Sequence, residues 1–264
     1  MAFKSFEFLV AWRYLKSKRK DGFISIITWL SLIGISLGVA TLIIVMSVMN
    51  GFREDMLAKI LGMNGHITVI SNFAGDDIKD YKNVAKSITK IPSLYGKKMK
   101  IIPVIESQVM VSANGKSMGI MLRGIDYNDI SKITPLYNGL KGVNPVSLKN
   151  GELLLGTTLA RKLGVFEGDE ITVTTAKGNI TAFGTVPRIQ TYNVGGLFNT
   201  GMSTYDSNFL YMPLDYAQNF LDMEDVVNYI EVFIENPDDA EKFSKTITRM
   251  IGPMNRSVSW EKQN

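Results

Sequence analysis

The sequence predicts an α+β protein. One N-terminal membrane-spanning helix is followed by an outer domain of two βαβ-like halves that enclose a β-rich inserted subdomain. Three observations carry this reading. Gly22 to Phe52 contains no Asp, Glu, Lys, Arg or His. Strand–helix–strand patterns occur near both ends of the remaining chain, at 66–112 and 228–260. Between them, turn signals separate mostly strand-like segments.

The charge-free run Phe23 to Met49 is 27 residues long. As a helix it covers about 40 Å, enough to cross a hydrocarbon core of about 30 Å. A cleaved signal peptide has a shorter apolar stretch and a small-residue cleavage site, whereas this run ends in Val-Met-Asn-Gly-Phe. The first 20 residues carry Lys4, Arg13, Lys16, Lys18, Arg19 and Lys20 against the lone Glu7, a balance of +5 that exceeds the whole net charge of +4. Basic residues flanking an apolar span mark the cytoplasmic side. Residues 1–21 are therefore expected in the cytoplasm, the span at 22–50, and everything after Gly51 outside, which in a bacterium is the periplasm. The basic balance is a topology signal and does not point to nucleic acid.

Within the span, Ser31, Gly34, Gly38 and Thr41 form a small face that suits close approach of another membrane helix. A lone anchor with incidental glycines is the alternative. Before the span, Phe3, Phe6, Leu9, Val10, Trp12 and Tyr14 interleave with basic residues. They read either as an amphipathic helix on the membrane interface or as a basic tail.

In the outer domain, "HITVIS" (66–71) reads as a strand and "DDIKDYKNVAKSITKI" (76–91) as an amphipathic helix opened by Asp76-Asp77. "IIPVIESQVMVS" (101–112) and "KSMGIMLRGI" (116–125) flank Asn114-Gly115, a hairpin turn. "ELLLG" (152–156) is a buried strand, "TTLARKLG" (157–164) a short helix ended by Gly, and "DEITVTT" (169–175) a strand. "NYIEVFIE" (228–235), "PDDAEKFSKTITRMIG" (237–252, opened by Asp238-Asp239) and "SVSW" (257–260) repeat the strand–helix–strand pattern. The resulting division is 51–107 and 223–264 as the two halves of one subdomain, with 108–222 inserted. The Gly-containing stretch "AKGNITAFGTVPRIQTYNVGG" (176–196) reads as a long loop that carries a Gly-flanked hairpin. Its apolar Ile180 and Phe183 either insert into a partner or fold back on the body.

Chemistry is largely absent. Without Cys there are no disulfides, thiolate metal sites, cysteine nucleophiles or acylation sites. GxxxxGK[ST], GxSxG, HExxH and EF-hand patterns are missing. His66 is the only histidine and reads as structural. Lys97, Lys98 and Lys100 lack aromatic neighbours for base stacking. No catalytic residue, metal site or cofactor is expected.

The stretch "FISIITWLSLIGISLGVATLIIVMSVMNGFREDMLAKILG" closely resembles the first membrane span of LolC/LolE (LolF)-type lipoprotein-releasing ABC transporter permeases, above all in "WLSLIGISLGV" (29–39) and "SVMNGF" (47–52). "LLLGTTLARKLGVFEGDEITV" (153–173) and "PRIQTYNVGGLF" (187–198) resemble that family's mid-domain. The resemblance covers essentially the whole chain. It implies a MacB-like, porter-like periplasmic domain and a non-catalytic subunit of the bacterial inner membrane. Such subunits pair as homo- or heterodimers with LolD-type ATPase subunits. They extract lipoproteins and pass them to the chaperone LolA. By resemblance, Val45 and Met49, with neighbouring Met46 and Val48, line the acyl-chain cavity. The segment 176–187 corresponds to the chaperone-binding hook, with Ile180, Thr181, Phe183, Pro187 and Arg188 at or beside it. The chain departs from the LolC pattern in a shorter loop, in Ala176 and Ala182 where prolines stand, and in a thinner basic patch at Thr172, Ile189 and Gln190. Family members carry three further spans. The chain stops at "SVSWEKQN", so it is expected to be the N-terminal portion, without the segment that couples to the ATPase. A MacB-like exporter permease and a single-span periplasmic scaffold are the alternative readings.

Overall fold

The computed structural model describes residues 5–16, 22–91, 98–140, 142–148, 151–181 and 184–263. It divides into two compact units, one ending at Ala58 and the other beginning at Lys59.

The first unit is helical. α1 (Ser5–Lys16) exposes Phe6, Phe8, Leu9, Val10 and Trp12, and Phe8 stacks on Trp12 with ring centroids 6.2 Å apart. α2 is one continuous helix, Gly22–Met63, of 42 residues, and its last five residues belong to the second unit. The segment Ile26–Met63 is long and apolar enough to cross a membrane. The apolar pattern stops at Asn50-Gly51, but the helix does not. One glycine costs only about 1 kcal/mol, and the good helix formers of "REDMLAKIL" carry the backbone on for three more turns. Thr41 Oγ1 donates to the Leu37 carbonyl at 2.8 Å, which satisfies a hydroxyl within the apolar stretch.

The second unit contains β1 (Ile67–Ser71), β2 (Ile78–Lys79), α3 (Tyr81–Thr89), β3 (Met99–Ala113), β4 (Lys116–Ile125) and, after a 3-10 turn, α4 (Thr134–Gly139). β5 (Leu153–Gly156), α5 (Thr157–Leu163), β6 (Glu170–Thr181), β7 (Gly184–Phe198) and α6 (Ser203–Asn208) follow. The chain continues with β8 (Phe209–Pro213), α7 (Leu214–Leu221), β9 (Val226–Val227), β10 (Tyr229–Ile234), α8 (Ala240–Met250) and β11 (Asn255–Ser259). The order β11-β1-β10-β3 interleaves the strands of the two βαβ-like halves, and every neighbour in it is antiparallel. β3 then leaves β10 and pairs with β4. From there the ring β3-β4-β8-β5-β7-β6 closes, because β6 returns to β3 through Val109↔Thr175 to Ser112↔Thr172. The insertion is thus a six-stranded closed barrel, which leaves no free edge.

β3 belongs to both sheets. Met99 to Val104 pairs with β10, and Ile105 to Ala113 with β4. Pro103 lies where β3 has a single neighbour, the position in which a missing N–H is tolerated. Asn228 holds the changeover: its Oδ1 accepts from the Glu106 N–H at 2.7 Å and its Nδ2 donates to Asp77 at 2.7 Å. The turn Asn114-Gly115 has φ of 51° and 72°, the doubly left-handed form that a two-residue hairpin requires. Leu153, Leu154 and Leu155 are fully buried, as expected of a strand with neighbours on both sides.

Three expectations are corrected. Asp76-Asp77 does not open α3: Ile78–Lys79 pairs with Val226–Val227 first, and the helix starts at Tyr81 after Asp80. The late helix starts at Ala240 after a 3-10 turn at Pro237–Asp239, where Asn236 accepts from the Asp238 N–H. The stretch 176–196 is a hairpin, as its flanking glycines suggest, but it is strand along most of its length and not a long loop. It continues β6 and forms β7, joined by residues outside the described set.

The strand β11 would be an open edge, but Ser244 and Thr248 of α8 cover it. Thr248 Oγ1 accepts from the Ser257 N–H at 3.0 Å, and Ser244 Oγ donates to the Ser257 carbonyl at 2.9 Å. His66 is buried, packs edge-on against Phe233 at 5.7 Å, and accepts from the Ile234 N–H through Nδ1 at 3.1 Å. Burial holds its pKa below the usual 6.5.

Two outcomes follow for stability. Leu155→Ala, at a fully buried position, lowers the unfolding free energy by about 2–5 kcal/mol, measured by urea unfolding of the chain in detergent. An unfolded histidine protonates below about pH 6.5, so there the unfolded state binds more protons than the fold. The His66 contribution is therefore complete above that pH and is lost as pH falls through the lowered folded pKa. Urea midpoints should drop with acidification over this window, and His66→Gln should flatten that dependence.

Candidate functional site

The residues expected to contact acyl chains all lie on α2 with side chains more than half exposed: Val45 55%, Met46 65%, Val48 67% and Met49 61%. At about 100° per residue, Val45, Val48 and Met49 fall on the same side of the helix as Ser31, Gly34, Gly38 and Thr41. The small face and the Val/Met face are one stripe, spanning about 100° of the circumference. Met46 projects outside it. A methyl group built on Gly34 or Gly38 meets nothing within 4 Å, so among the described residues the stripe has no cover. A strip of small residues continued by Val45, Val48 and the flexible thioether of Met49 suits a helix partner along the small residues and an irregular apolar ligand beyond them.

The hook-like segment is a β-hairpin. β3 accompanies β6 only as far as Thr175, and β5 accompanies β7 only from Val194. Between these limits, among the described residues, the two strands pair only with each other, through Asn179↔Val186, Ile180↔Thr185 and Thr181↔Gly184. A two-stranded ribbon without further support projects from the barrel. A bulge between Thr175 and Asn179 bends it. At Gly178 any Cβ would collide with the Val186 carbonyl, so glycine is required there. Backbone positions are described for Ile180 and Thr181. Ala182 and Phe183 lie outside the described residues.

Pro187 and Val186 are exposed on the ribbon, with Ile189 67% exposed just beyond. Arg188 sits at its base, pairing with Asp222 at 2.9 Å and donating to the Asn219 carbonyl at 3.2 Å. It therefore clamps the root of the ribbon to the end of α7. Beside this root is an open groove of about 770 Å³, lined in part by Met110, Met121, Phe209 and Pro187 and floored by Gly119.

A third constellation was not anticipated by sequence reasoning. Arg123 of β4 is buried and donates Nε to Glu106 of β3 at 3.1 Å. Its Nη2 reaches Glu231 of β10 at 3.4 Å and the Tyr229 hydroxyl at 3.0 Å. Nη1 donates to the Met63 carbonyl at 3.3 Å, at the end of α2. Burial opposes the Arg123 charge, but Glu231, the oxygens of Tyr229 and Tyr211, and Glu106 outweigh it, so its pKa stands well above the ordinary value. Burial pushes the Glu231 carboxyl up, against the pull of Arg123 and of the Gly65 N–H that it accepts. One signal was present: "VIESQ", "MLRGI" and "YIEVF" each place a lone charge inside an apolar strand.

A family model described as the MacB-like periplasmic core domain matches residues 28–250. Among curated proteins, the lipoprotein-releasing system transmembrane protein LolC of Xylella fastidiosa (strain Temecula1) is 32% identical over 255 residues, 96% of this chain and 60% of that protein. The LolE protein of Haemophilus influenzae is 27% identical over 258 residues, 96% of this chain and 61% of that protein. The chain thus spans about 60% of the length of the curated relatives it matches. Among solved structures, the periplasmic region of MacB from Actinobacillus actinomycetemcomitans is similar at 18% identity with a TM-score of 0.49, covering 79% of this chain and 95% of that one. With more than four-fifths of its residues inside the family match, the chain belongs to the MacB-like periplasmic core domain family, and its curated likeness within it is to LolC and LolE.

Proposed function

We propose that the chain is the N-terminal part of a permease subunit in an ATP-driven lipoprotein-releasing system of the bacterial inner membrane. The observation that carries this is the likeness to LolC and LolE over 96% of the chain, membrane helix and outer unit together. In this reading residues 1–21 are cytoplasmic, α2 crosses the membrane, and the outer unit is periplasmic. The subunit is non-catalytic: LolD-type ATPase subunits supply the energy, and a second permease subunit, identical or not, faces the stripe on α2. Ser31, Gly34, Gly38 and Thr41 pack against that partner. Val45, Val48 and Met49, with Met46 at the margin, contact the lipoprotein acyl chains.

The projecting ribbon is the LolA-binding element in this reading. Its support is geometric, because a two-stranded ribbon free of the barrel on both sides can add to a partner's surface without disturbing the fold. Arg188 acts at its root, orienting the ribbon through Asp222, while Ile180, Thr181, Phe183 and Pro187 supply the contact surface. The groove beside Met110 and Met121 extends the apolar area available to the chaperone.

Two measurements test the two halves of this reading. Ile180→Asp with Phe183→Asp should abolish LolA pull-down by the detergent-solubilised chain, and unchanged capture would remove the ribbon from the interface. A photo-reactive residue at Met49, in the transporter assembled with its partner subunits, should label lipoprotein acyl chains. Labelling of bulk phospholipid alone would show that the stripe faces the bilayer.

A further inference from the structure

We propose that Arg123 is a positioning residue that fixes the last turn of α2, residues 60–63 of the second unit, in one register against the junction of the two sheets. The inference goes beyond the function proposed above and holds for any cargo.

The end of a helix leaves carbonyls without intrahelical partners, and those buried must find others. Here the last helical bond runs from the Asn64 N–H to the Ile60 carbonyl at 3.1 Å. The next groups are each taken by a different element. Arg123 of β4 holds the Met63 carbonyl, and its Nη2 lies 3.4 Å from Asn64 Oδ1. Tyr205 of α6 accepts from Asn64 Nδ2 at 2.7 Å. The Glu231 carboxylate of β10 accepts from the Gly65 N–H. A guanidinium at a helix C-terminus is also favoured by the helix dipole.

Arg123 has no freedom to follow a moving helix end. Glu106, Glu231 and Tyr229 hold it from two strands, Tyr229 in turn donates to Glu106 at 2.6 Å, and the Phe209 ring lies 5.7 Å from the guanidinium carbon. The flanking backbone has no slack either. A Cβ on Gly62 would lie 2.8 Å from Pro135, and one on Gly65 would lie 2.8 Å from the Glu231 Cβ and 3.0 Å from the Val232 nitrogen. Met63 between them is fully buried.

A cluster of a buried cation, a buried carboxylate and a partly exposed one is a poor way to gain stability, because well-packed apolar residues do as well or better. What it provides is register. The planar guanidinium has five N–H donors in a fixed fork, so contact with Met63, Asn64, Glu106, Glu231 and Tyr229 together is met in one placement of the helix end. Rotation or translation of that end breaks the set at once. Glu106 and Glu231 sit on β3 and β10, and β3 is shared by both sheets, so the register of the turn is set at the sheet junction.

The test uses the full chain in detergent micelles. Because the sequence has no Cys, Ile60→Cys and Val146→Cys, both at exposed positions, accept nitroxide labels selectively. A reference pair is Met110→Cys with Val146→Cys. Arg123→Met combined with Glu106→Gln and Glu231→Gln removes the lock without stranding a charge, and Arg123→Lys keeps the charge but loses the fork. Both variants should widen the 60–146 distance distribution and raise amide exchange at 63–66 by about tenfold or more. The 110–146 distribution and the protection of β5 should stay as they are, which a general loss of stability would not produce. A narrow 60–146 distribution with unchanged exchange at 63–66, in either variant that folds, overturns the proposal. If the neutralised variant does not fold, the lysine variant is read by the same criteria.

Discussion

The guanidinium of Arg123 lies where four chain segments meet, and the outer unit is organised around that meeting. β4 supplies the charge, β3 and β10 supply the carboxylates, and the end of α2 supplies a carbonyl and an amide side chain. Each component would be costly to bury alone. Together they satisfy most of one another's demand, although Glu231 Oε2 and the Tyr211 hydroxyl have no hydrogen-bond partner among the described residues. The cluster therefore specifies an arrangement more than it stabilises one.

Two sheets with different jobs share β3. On one side the antiparallel order β11-β1-β10-β3 ties the first and last parts of the outer unit together. On the other, the ring closed by β6 forms a barrel without edges. The larger sheet limits its edges, since the barrel closes on itself and hydroxyls of α8 take the Ser257 N–H and carbonyl of β11. The ribbon of β6 and β7 is the exception. It extends past its supporting strands and keeps backbone groups open to a partner. An unsupported strand edge beside a closed barrel is a natural place for an interaction surface.

The candidate contact residues were readable from the chain to different degrees. Val45, Val48 and Met49 fall in one stripe with Ser31, Gly34, Gly38 and Thr41 by helical spacing alone, because an α-helix has a fixed period. The sequence shows the ribbon as a hairpin within a long loop and hides how far its strands run, because its glycines, proline and polar residues resemble turn chemistry. Pairing between β6 and β7 overrides those local preferences, and a bulge at Gly178 absorbs the irregularity. The start of α3 was misplaced for a similar reason: Asp76-Asp77 looks like a helix opening, but a two-residue pairing with Val226–Val227, 148 positions further on, claims Ile78 and Lys79 first.

By itself the sequence determined what depends on neighbours along the chain. The charge-free helix, the Asn114-Gly115 turn, the Gly164 helix stop and the strand–helix–strand pattern at each end all follow from local periodicity and backbone preference. The structural role of His66 followed from its being the sole histidine at the start of a strand. Only the tertiary structure decided which strands became partners: the closure of β6 onto β3, the double membership of β3, the projection of the ribbon, and the gathering of Glu106, Arg123 and Glu231. The physical reason is that a lone charge in an apolar strand announces a buried partner without naming it. The partner is selected by register and sheet order, and these are set by contacts between residues far apart in the chain.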